Sequence, residues 1–468
     1  MKELMRWMLV AVLTCGSTSN IMAQKGHKAN TQDALPSKEL KADVNRAAGI
    51  YYALPVELDN KGKGHKNAIV PFNDTPAPDG KLPFYINHYA CPCSYYLDNA
   101  EDYNAPYAIF AKADSLGKLT PLGRDVKRRL ALIREDALGR TGELTAKGAQ
   151  QSRAITKRLI DRLPSAFRPD GYYSVRSIVK NRCILTMQEG MLQMSTMRHP
   201  ISIRSRATKT EYPFMDPTDE KLTSAWTNEK TSTLFAQFAS LNDSHTRLME
   251  ALFNDQNFII THFDAAKLAR QLFRLASSIQ HTELAGKVTL FDIFTPDEIH
   301  RHWRRQNVLN YMRYGGYTGN GGTQPYQQRS TLRNMIHMGD SVLKRYAPLS
   351  HLRYTNEQVI LALASLMELD NCGVQTDNLD SLEAMGWADY RIAPLGGSIV
   401  MIHYRKDHFD EDVLVKVLLN EREARLPIET DCAPYYHWND VKRYYLRKLY
   451  RYENTRFDGI TEPQRIFR

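Results

Sequence analysis

The sequence predicts an α/β protein in which one central sheet, flanked by helices, is interrupted by a mostly helical insertion. Strand-like segments alternate with helical ones in the first 200 residues and again after residue 330. Between about 206 and 330 the pattern is helical, with breaks at "PFMDPTDE" and "RYGGYTGNGGTQPY". The 468 residues, 43% of them hydrophobic, provide enough apolar material for a core of this size.

The first 23 residues are typical of a secretory signal peptide. Lys2 and Arg6 precede "WMLVAVLTCG", an apolar segment too short to span a bilayer, and "SNIMAQKG" offers cleavage after Ala23. A lipoprotein signal at Cys15 is disfavoured by Thr14 before it. We therefore expect an exported protein, periplasmic or secreted, that has no membrane span.

The first part of the predicted core contains three strands and three helices. The strands are "LPFYINHYA", "GYYSVRSI" and "PISIRSRA". Thr120 and Thr145 stand in capping positions before "PLGRDVKRRLALIRED" and "AKGAQQSRAITKRLIDR", and the third helix is "KNRCILTMQEGML". The second part has a strand at "HLRYT", a helix at "NEQVILALASLMEL", a late strand pair at "SIVMIHYRK" and "VLVKVLLN", and a C-terminal amphipathic helix.

These patterns divide the chain into five segments. They are a signal peptide (1–23), a mobile N-terminal segment (24–45), the first part of the α/β core (46–205), a helical cap insertion (206–330), and the second part of the core with the C-terminal helix (331–468). Ligands of parallel α/β sheets bind beyond the carboxyl ends of the strands. Three segments are therefore candidates for a site: "YACPCSYY", "SVRSIVKNRC" and "LRYTNEQ".

The net charge of +10, from 62 basic and 52 acidic residues, would attract a polyanion, although a solvated basic surface is the simpler interpretation. The charge is not accompanied by a nucleic-acid-binding motif. The Cys and His spacings do not resemble a zinc site, and we expect neither a metal nor another cofactor.

The cysteines of the mature chain are odd in number, so at least one has no partner within the chain. They are Cys91, Cys93, Cys183, Cys372 and Cys432. Export would expose them to an oxidising compartment. The candidate bridges are Cys183 with Cys91 or Cys93, and Cys372 with Cys432, and the sequence leaves the connectivity open.

The candidate segments resemble, in the same order, the histidine phosphatase superfamily. The resemblance is to the branch of acid phosphatases, phytases and multiple inositol polyphosphate phosphatases, and it covers nearly all of the mature chain. "FYINHYA" is similar to the strand before that family's R-H-G-S-R-Y motif, and "LRYTNEQ" stands where the family has L-R-F-G-H-D or H-A-E. "LLNEREARLPIETDCAPYYHW" resembles the end of bacterial inositol polyphosphate phosphatases. The resemblance implies a phosphoglycerate-mutase/acid-phosphatase-like central sheet with an inserted helical cap.

The resemblance also implies a mechanism. In the family, a histidine attacks phosphorus, arginines from three places and a second histidine hold the phosphate, and an Asp or Glu protonates the leaving alcohol. The nucleophilic histidine falls on Pro92 of this chain. The arginine before it falls on Cys91, the glycine after it on Cys93, and the second arginine on Tyr95.

Only one of the three arginines is retained. It is Arg182, whereas Arg176 matches a position that is not usually a phosphate ligand. The second histidine falls on Asn356. The proton donor falls on Glu357 in the H-D register or on Gln358 in the H-A-E register.

Two functions remain open. The first is a catalytically inactive member, a pseudophosphatase, that binds a phosphorylated sugar, an inositol phosphate or another protein. Proline has no side-chain lone pair with which to attack phosphorus. The second is an active phosphomonoester hydrolase with a non-standard site. A cysteine nucleophile would need an arginine at a fixed spacing after it, where this chain has Leu97 and Asn99.

Overall fold

The structure is a computed structural model that describes residues 36–56, 74–197, 201–243 and 245–454. The predicted signal peptide, most of the segment after it and the loop "NKGKGHK" lie outside these residues. Within the described ranges, the helices do not include one long and apolar enough to cross a membrane.

The strands form one large sheet and a two-stranded ribbon. They are β1 Leu82–Ala90, β2 Tyr172–Ser177, β3 Ser202–Ala207, β4 Gly316–Tyr317, β5 Leu349–Tyr354, β6 Gln375–Thr376, β7 Ser398–Arg405, β8 Leu414–Leu419, β9 Arg422–Ala424 and β10 Tyr436–His437. The large sheet has the order β10-β8-β7-β1-β5-β2-β3, with β9 on β8. Strands β1, β5, β2 and β3 are parallel, whereas β7 and β8 are antiparallel. This mixed α/β sheet confirms the predicted fold class.

The helices flank this sheet and fill the segment between β3 and β5. They are α1 Pro36–Ala42, α2 Glu101–Ser115, α3 Pro121–Asp136, α4 Ala146–Arg162, α5 Asn181–Ser195, α6 Tyr212–Met215, α7 Glu220–Thr227, α8 Glu229–Leu241, α9 Thr246–Leu252, α10 Gln256–His262, α11 Ala265–Ser278, α12 Pro296–Tyr314, α13 Arg329–Leu343, α14 Glu357–Met367, α15 Asp389–Ile392 and α16 Trp438–Asn454.

The two predicted threonine caps are confirmed, and each brings a glycine into close contact with another segment. The hydroxyls of Thr120 and Thr145 accept hydrogen bonds from the backbone N–H groups of Gly123 and Gly148, each at 3.0 Å. A Cβ atom on Gly148 would lie 2.1 Å from the carbonyl oxygen of Ser94. Because only glycine permits this approach, the start of α4 packs directly on the loop that follows β1.

The buried apolar side chains form two clusters. The first lies between the central sheet and its flanking helices. The second joins α2 and α3 to α9, α11 and α12, with members that include Phe110, Leu130, Leu252, Leu272 and Trp303. The helices after β1 therefore share a core with helices between β3 and β5.

The structure contains two helices, α1 and α2, that the sequence analysis does not predict. Helix α1 falls in the segment expected to be mobile, where Leu40 is buried and the Glu39 carboxylate accepts a hydrogen bond from the Tyr390 hydroxyl at 2.7 Å. Helix α2 contains Pro106 in its interior, a residue that usually ends a helix. Tertiary contacts of its buried side chains, among them Phe110, outweigh this local preference.

Candidate functional site

The carboxyl ends of the three neighbouring parallel strands bring the predicted segments together. The backbone N–H of Thr355, after β5, donates to the carbonyl of Ala90 at 2.8 Å. The N–H of Ile178, after β2, donates to the carbonyl of Tyr354 at 3.1 Å. The loop after β1, the start of α5 and the start of α14 consequently meet at one edge of the sheet.

Arg182, the retained arginine, is held by partners from within the protein. It is only 8% exposed, and its Nη1 donates to both carboxylate oxygens of Asp98, at 2.8 and 2.9 Å. Nη2 donates to Oδ1 of Asn356 at 3.3 Å, and the guanidinium carbon lies 4.8 Å from the centre of the Tyr95 ring. Its Nε is buried and has no hydrogen-bond partner among the described residues.

The two residues at the start of α14 have partners of their own. Oδ1 of Asn356 also accepts a hydrogen bond from Nζ of Lys180 at 3.0 Å, and its Nδ2 donates to Asp216 at 2.7 Å. Oε1 of Glu357 accepts a hydrogen bond from the Tyr95 hydroxyl at 3.1 Å. Glu357 is buried, and Gln358, the alternative donor position, is half-buried. We call the seven residues that carry these bonds the closed network: Tyr95, Asp98, Lys180, Arg182, Asp216, Asn356 and Glu357.

The charges of the closed network oppose an anion. Within the closed network, the three carboxylates of Asp98, Asp216 and Glu357 outnumber the two cations, Lys180 and Arg182. Burial raises the pKa of Asp216 above its usual value, and the nearby cations Lys180 and Arg182 offset only part of this increase. A phosphate dianion entering here would have to displace Asp98 from Arg182 and approach the remaining carboxylates.

Pro92 lies buried between two cysteine residues whose backbones are anchored to neighbouring elements. Its carbonyl accepts a hydrogen bond from the N–H of Gly396 at 2.9 Å. The N–H of Cys91 donates to the Gly397 carbonyl at 2.8 Å, and that of Cys93 to the Thr186 hydroxyl at 3.0 Å. Burial raises the pKa of the Cys91 thiol well above its usual value and that of Cys93 to about 12. Both are therefore thiols, which are poor nucleophiles.

The suggested disulfide bridges are absent among the described residues, where all five cysteines are free. The Cys183 thiol donates instead to the carbonyl of Thr355 at 3.6 Å. Cys432 lies 3.4 Å from the Tyr435 carbonyl, to which its thiol donates. Cys372 is buried in the first apolar cluster.

Two histidines lie near the loop after β1. His88, on β1, is buried beside the Tyr354 ring, and burial lowers its pKa to about 4. Nδ1 of His281 lies 3.1 Å from the Ser94 hydroxyl, and burial lowers the pKa of His281 to about 3. Sequence reasoning missed His281 because it lies between β3 and β5, far along the chain from Ser94. Ser94 and His281 are both buried, so this pair offers no accessible nucleophile.

One group of described residues has the composition of a metal site, outside the closed network. Ligand-type atoms of Asp431, Cys432 and His437 lie within 4.8 Å of one another. Carboxylate, thiolate and imidazole are common zinc ligands. Here Asp431 is exposed and hydrogen-bonded to His437 Nε2 at 3.1 Å, while His437 Nδ1 contacts Asp412 at 2.6 Å.

The sequence matches no family model, and it matches no curated protein. Solved structures do match, and they give the fold as that of the histidine acid phosphatases. The multiple inositol polyphosphate phosphatase of Bifidobacterium longum, in complex with inositol hexasulfate, has a TM-score of 0.68 and 13% sequence identity, covering 85% of this chain and 97% of its own. Its complex with phosphate has a TM-score of 0.67.

A second similar structure is the phytase from D. castellii, with a TM-score of 0.62 and 14% identity, covering 91% of this chain and 90% of its own. These likenesses confirm the predicted fold over most of the chain. At this identity they show the fold alone, and the chemistry of this chain depends on its own residues.

Proposed function

We propose that this chain is a catalytically inactive, exported histidine-phosphatase-like protein that acts as a binding or accessory module for a phosphorylated ligand or a protein. The proposal depends mainly on one observation. By the sequence resemblance, the position of the family nucleophile falls on Pro92, and the surrounding polar side chains are bonded to one another in the closed network.

The chemistry supports inactivity at two steps of the family mechanism, nucleophilic attack and phosphate binding. A nucleophile is missing at Pro92, and the thiols on either side of it are protonated. Two of the three phosphate-binding arginines are replaced, and the third is bonded to Asp98. Removing a single donor to a developing oxyanion typically slows an enzyme by ~100- to 1000-fold, so the combined loss leaves no measurable family reaction.

Binding remains compatible with what the chain retains. The structurally similar Bifidobacterium longum phosphatase binds inositol hexasulfate and phosphate, which makes a phosphorylated small molecule the first ligand class to test. The net charge of +10 favours an anionic ligand. Export is supported by the signal-like N-terminus alone.

Phosphate release from inositol hexakisphosphate and from p-nitrophenyl phosphate tests the proposal. We expect the purified protein to release phosphate no faster than a blank, because the nucleophile is missing. Arg182→Ala and Cys93→Ser are assayed beside it. Release that Cys93→Ser abolishes would contradict the proposal and support a thiolate enzyme. Release that survives Arg182→Ala would identify a contaminant or a different site.

A further inference from the structure

A polar cavity lies over the sheet, on residues of β2, β3 and β5 rather than in the loops after the strands. Its volume is about 470 Å³. Tyr172, Ser174 and Arg176 alternate along β2 and therefore point to the same face, where they line the cavity. Arg204 on β3 and His351 on β5 complete that face. We call this the basic cavity; Ser341 of α13 and Arg345 beyond it contribute the opposite wall.

Three guanidinium groups converge on the basic cavity with little negative charge to balance them. Glu211 lies 3.6 Å from Nε of Arg176. Among the described residues, Arg204 and Arg345 have no carboxylate within 4 Å. Nη1 of Arg176 donates to the carbonyl of Arg204 at 3.0 Å, and the Arg204 guanidinium carbon lies 5.3 Å from the Tyr172 ring centre. Arg176 and Arg204 are therefore positioned by contacts that leave guanidinium N–H donors available to a ligand.

The floor of the cavity is buried and polar. Ser174 and His351 are both buried, and His351 Nδ1 lies 3.0 Å from the Tyr85 hydroxyl. Burial, together with the positive charges of Arg353, Arg176 and Arg345, lowers the pKa of His351 to about 3. Arg353, also buried, donates hydrogen bonds to the neutral amide oxygens of Asn87 and Asn334, at 2.7 and 3.3 Å. The local field is thus positive.

We propose that the basic cavity binds a small molecule that carries two or more phosphate groups. Arginine presents a planar fork of donors that matches the oxygens of a phosphate, and three such forks spread over this volume suit more than one phosphate group. The volume falls within the range of small-molecule sites, roughly 300 to 1000 Å³. This site is separate from the closed network and does not depend on whether that site is catalytically active.

Isothermal titration calorimetry of the full chain with inositol hexakisphosphate at about 0.15 M salt tests the inference. We expect Arg204→Glu and Arg345→Glu each to weaken binding by at least about tenfold, because each loses a charge-assisted contact and gains a repulsive charge. The matched control is Arg128→Glu, on α3, where the side chain is 77% exposed and lies outside the cavity. This control should stay within about twofold of wild type, and Arg182→Ala is titrated beside it to detect binding at the closed network. Inorganic phosphate should bind more weakly than the hexakisphosphate.

Three results would overturn the inference. The first is an absence of binding by the wild type. The second is an equal weakening of binding by Arg128→Glu, which would indicate general attraction to a basic surface. The third is a loss of binding confined to Arg182→Ala. The last result would place the ligand at the closed network and leave the proposed function intact. Conversely, phosphate release by the wild type would contradict the proposed function without affecting the basic cavity. Circular dichroism of each variant establishes that it is folded.

Discussion

A variant that combines Cys91→Arg, Pro92→His, Cys93→Gly, Tyr95→Arg and Asn356→His is expected to hydrolyse p-nitrophenyl phosphate at least about 1000-fold faster than the wild type. The substitutions restore the nucleophile, two arginines, the glycine and the second histidine that the family resemblance assigns to these positions. Arg182 completes the set of arginines. Glu357 becomes available as a proton donor once Tyr95 no longer donates to it.

The framework that must hold these side chains is present. The loop after β1 is packed against α4 at Gly148, and its backbone is bonded to α5 and to the segment before β7. Asp98 competes with phosphate for Arg182; the Asp98 side chain is 43% exposed, whereas that of Arg182 is 10% exposed. In the five-residue variant, the two added arginines would offset the negative charge of Asp98 beside a bound phosphate.

The control differs from the five-residue variant only in carrying Pro92→Ala instead of Pro92→His. An equal rate in the two would show that the histidine is not the nucleophile. A five-residue variant that is folded yet inactive would show that the loop geometry has changed together with its residues. Circular dichroism and thermal unfolding separate that outcome from simple misfolding.

Asp389→Ala is expected to lower the free energy of unfolding by at least about 3 kcal/mol. Asp389 is fully buried and accepts hydrogen bonds from Trp303 Nε1 at 3.1 Å, from Asn310 Nδ2 at 2.8 Å and from the Tyr390 N–H at 2.9 Å. Each buried donor left without a partner costs about 1–3 kcal/mol. A Cβ on Gly49 would lie 2.6 Å from Asp389 Oδ2, so the same carboxylate lies against the segment that leads to Tyr51.

The effect extends to the candidate site, because the ring of Tyr51 packs at 6.1 Å from that of Tyr95. The matched control is Asp380→Ala. Its side chain is 80% exposed and pairs only with Arg304 in the described structure, so its loss should change stability by less than about 0.5 kcal/mol. Urea unfolding of the two variants and the wild type measures the difference. An Asp389→Ala variant as stable as Asp380→Ala would show that this carboxylate does not hold the segments together.

The contribution of Asp389 to the free energy of unfolding should fall as the pH rises. Burial raises the pKa of Asp389 from 3.8 to about 6, against the hydrogen bonds that lower it. Because the folded state holds the proton more tightly, this group stabilises the protein most below about pH 4, and that contribution is lost as the pH rises through 6. Relative to Asp389→Asn, which cannot ionise, the wild type should lose roughly 2 kcal/mol between pH 4 and 7. A difference that stays constant with pH would contradict the raised pKa.

The sequence predicts the parts of the fold that depend on local patterns. Alternating apolar residues mark β1, β7 and β8, and Thr120 and Thr145 mark the starts of α3 and α4. The convergence of the three candidate segments also follows from sequence, because the carboxyl ends of parallel strands share an edge. Helix α2 is missed because Pro106 contradicts its local propensity.

The partners within the closed network are beyond sequence reasoning. Arg182 meets Asp98 across 84 positions, and Asn356 meets Asp216 across 140 positions. These pairs are set by how the loops and the insertion pack, which single-residue patterns do not encode. The basic cavity is hidden for the same reason, since Arg204 and Arg345 come from opposite sides of the insertion. The position of the family nucleophile, by contrast, is assigned from the sequence, because the resemblance places it on Pro92.

Intact-protein mass spectrometry of the purified chain, mixed with inositol hexakisphosphate and denatured without acid, tests the central claim most directly. Phosphohistidine is acid-labile, so the quench must stay neutral or alkaline, and the five-residue variant supplies the positive control. We predict that the wild type retains only its unmodified mass. A population carrying one added phosphoryl group, mapped to His281, to a cysteine or to any other side chain, would contradict the proposal that the chain lacks a nucleophile.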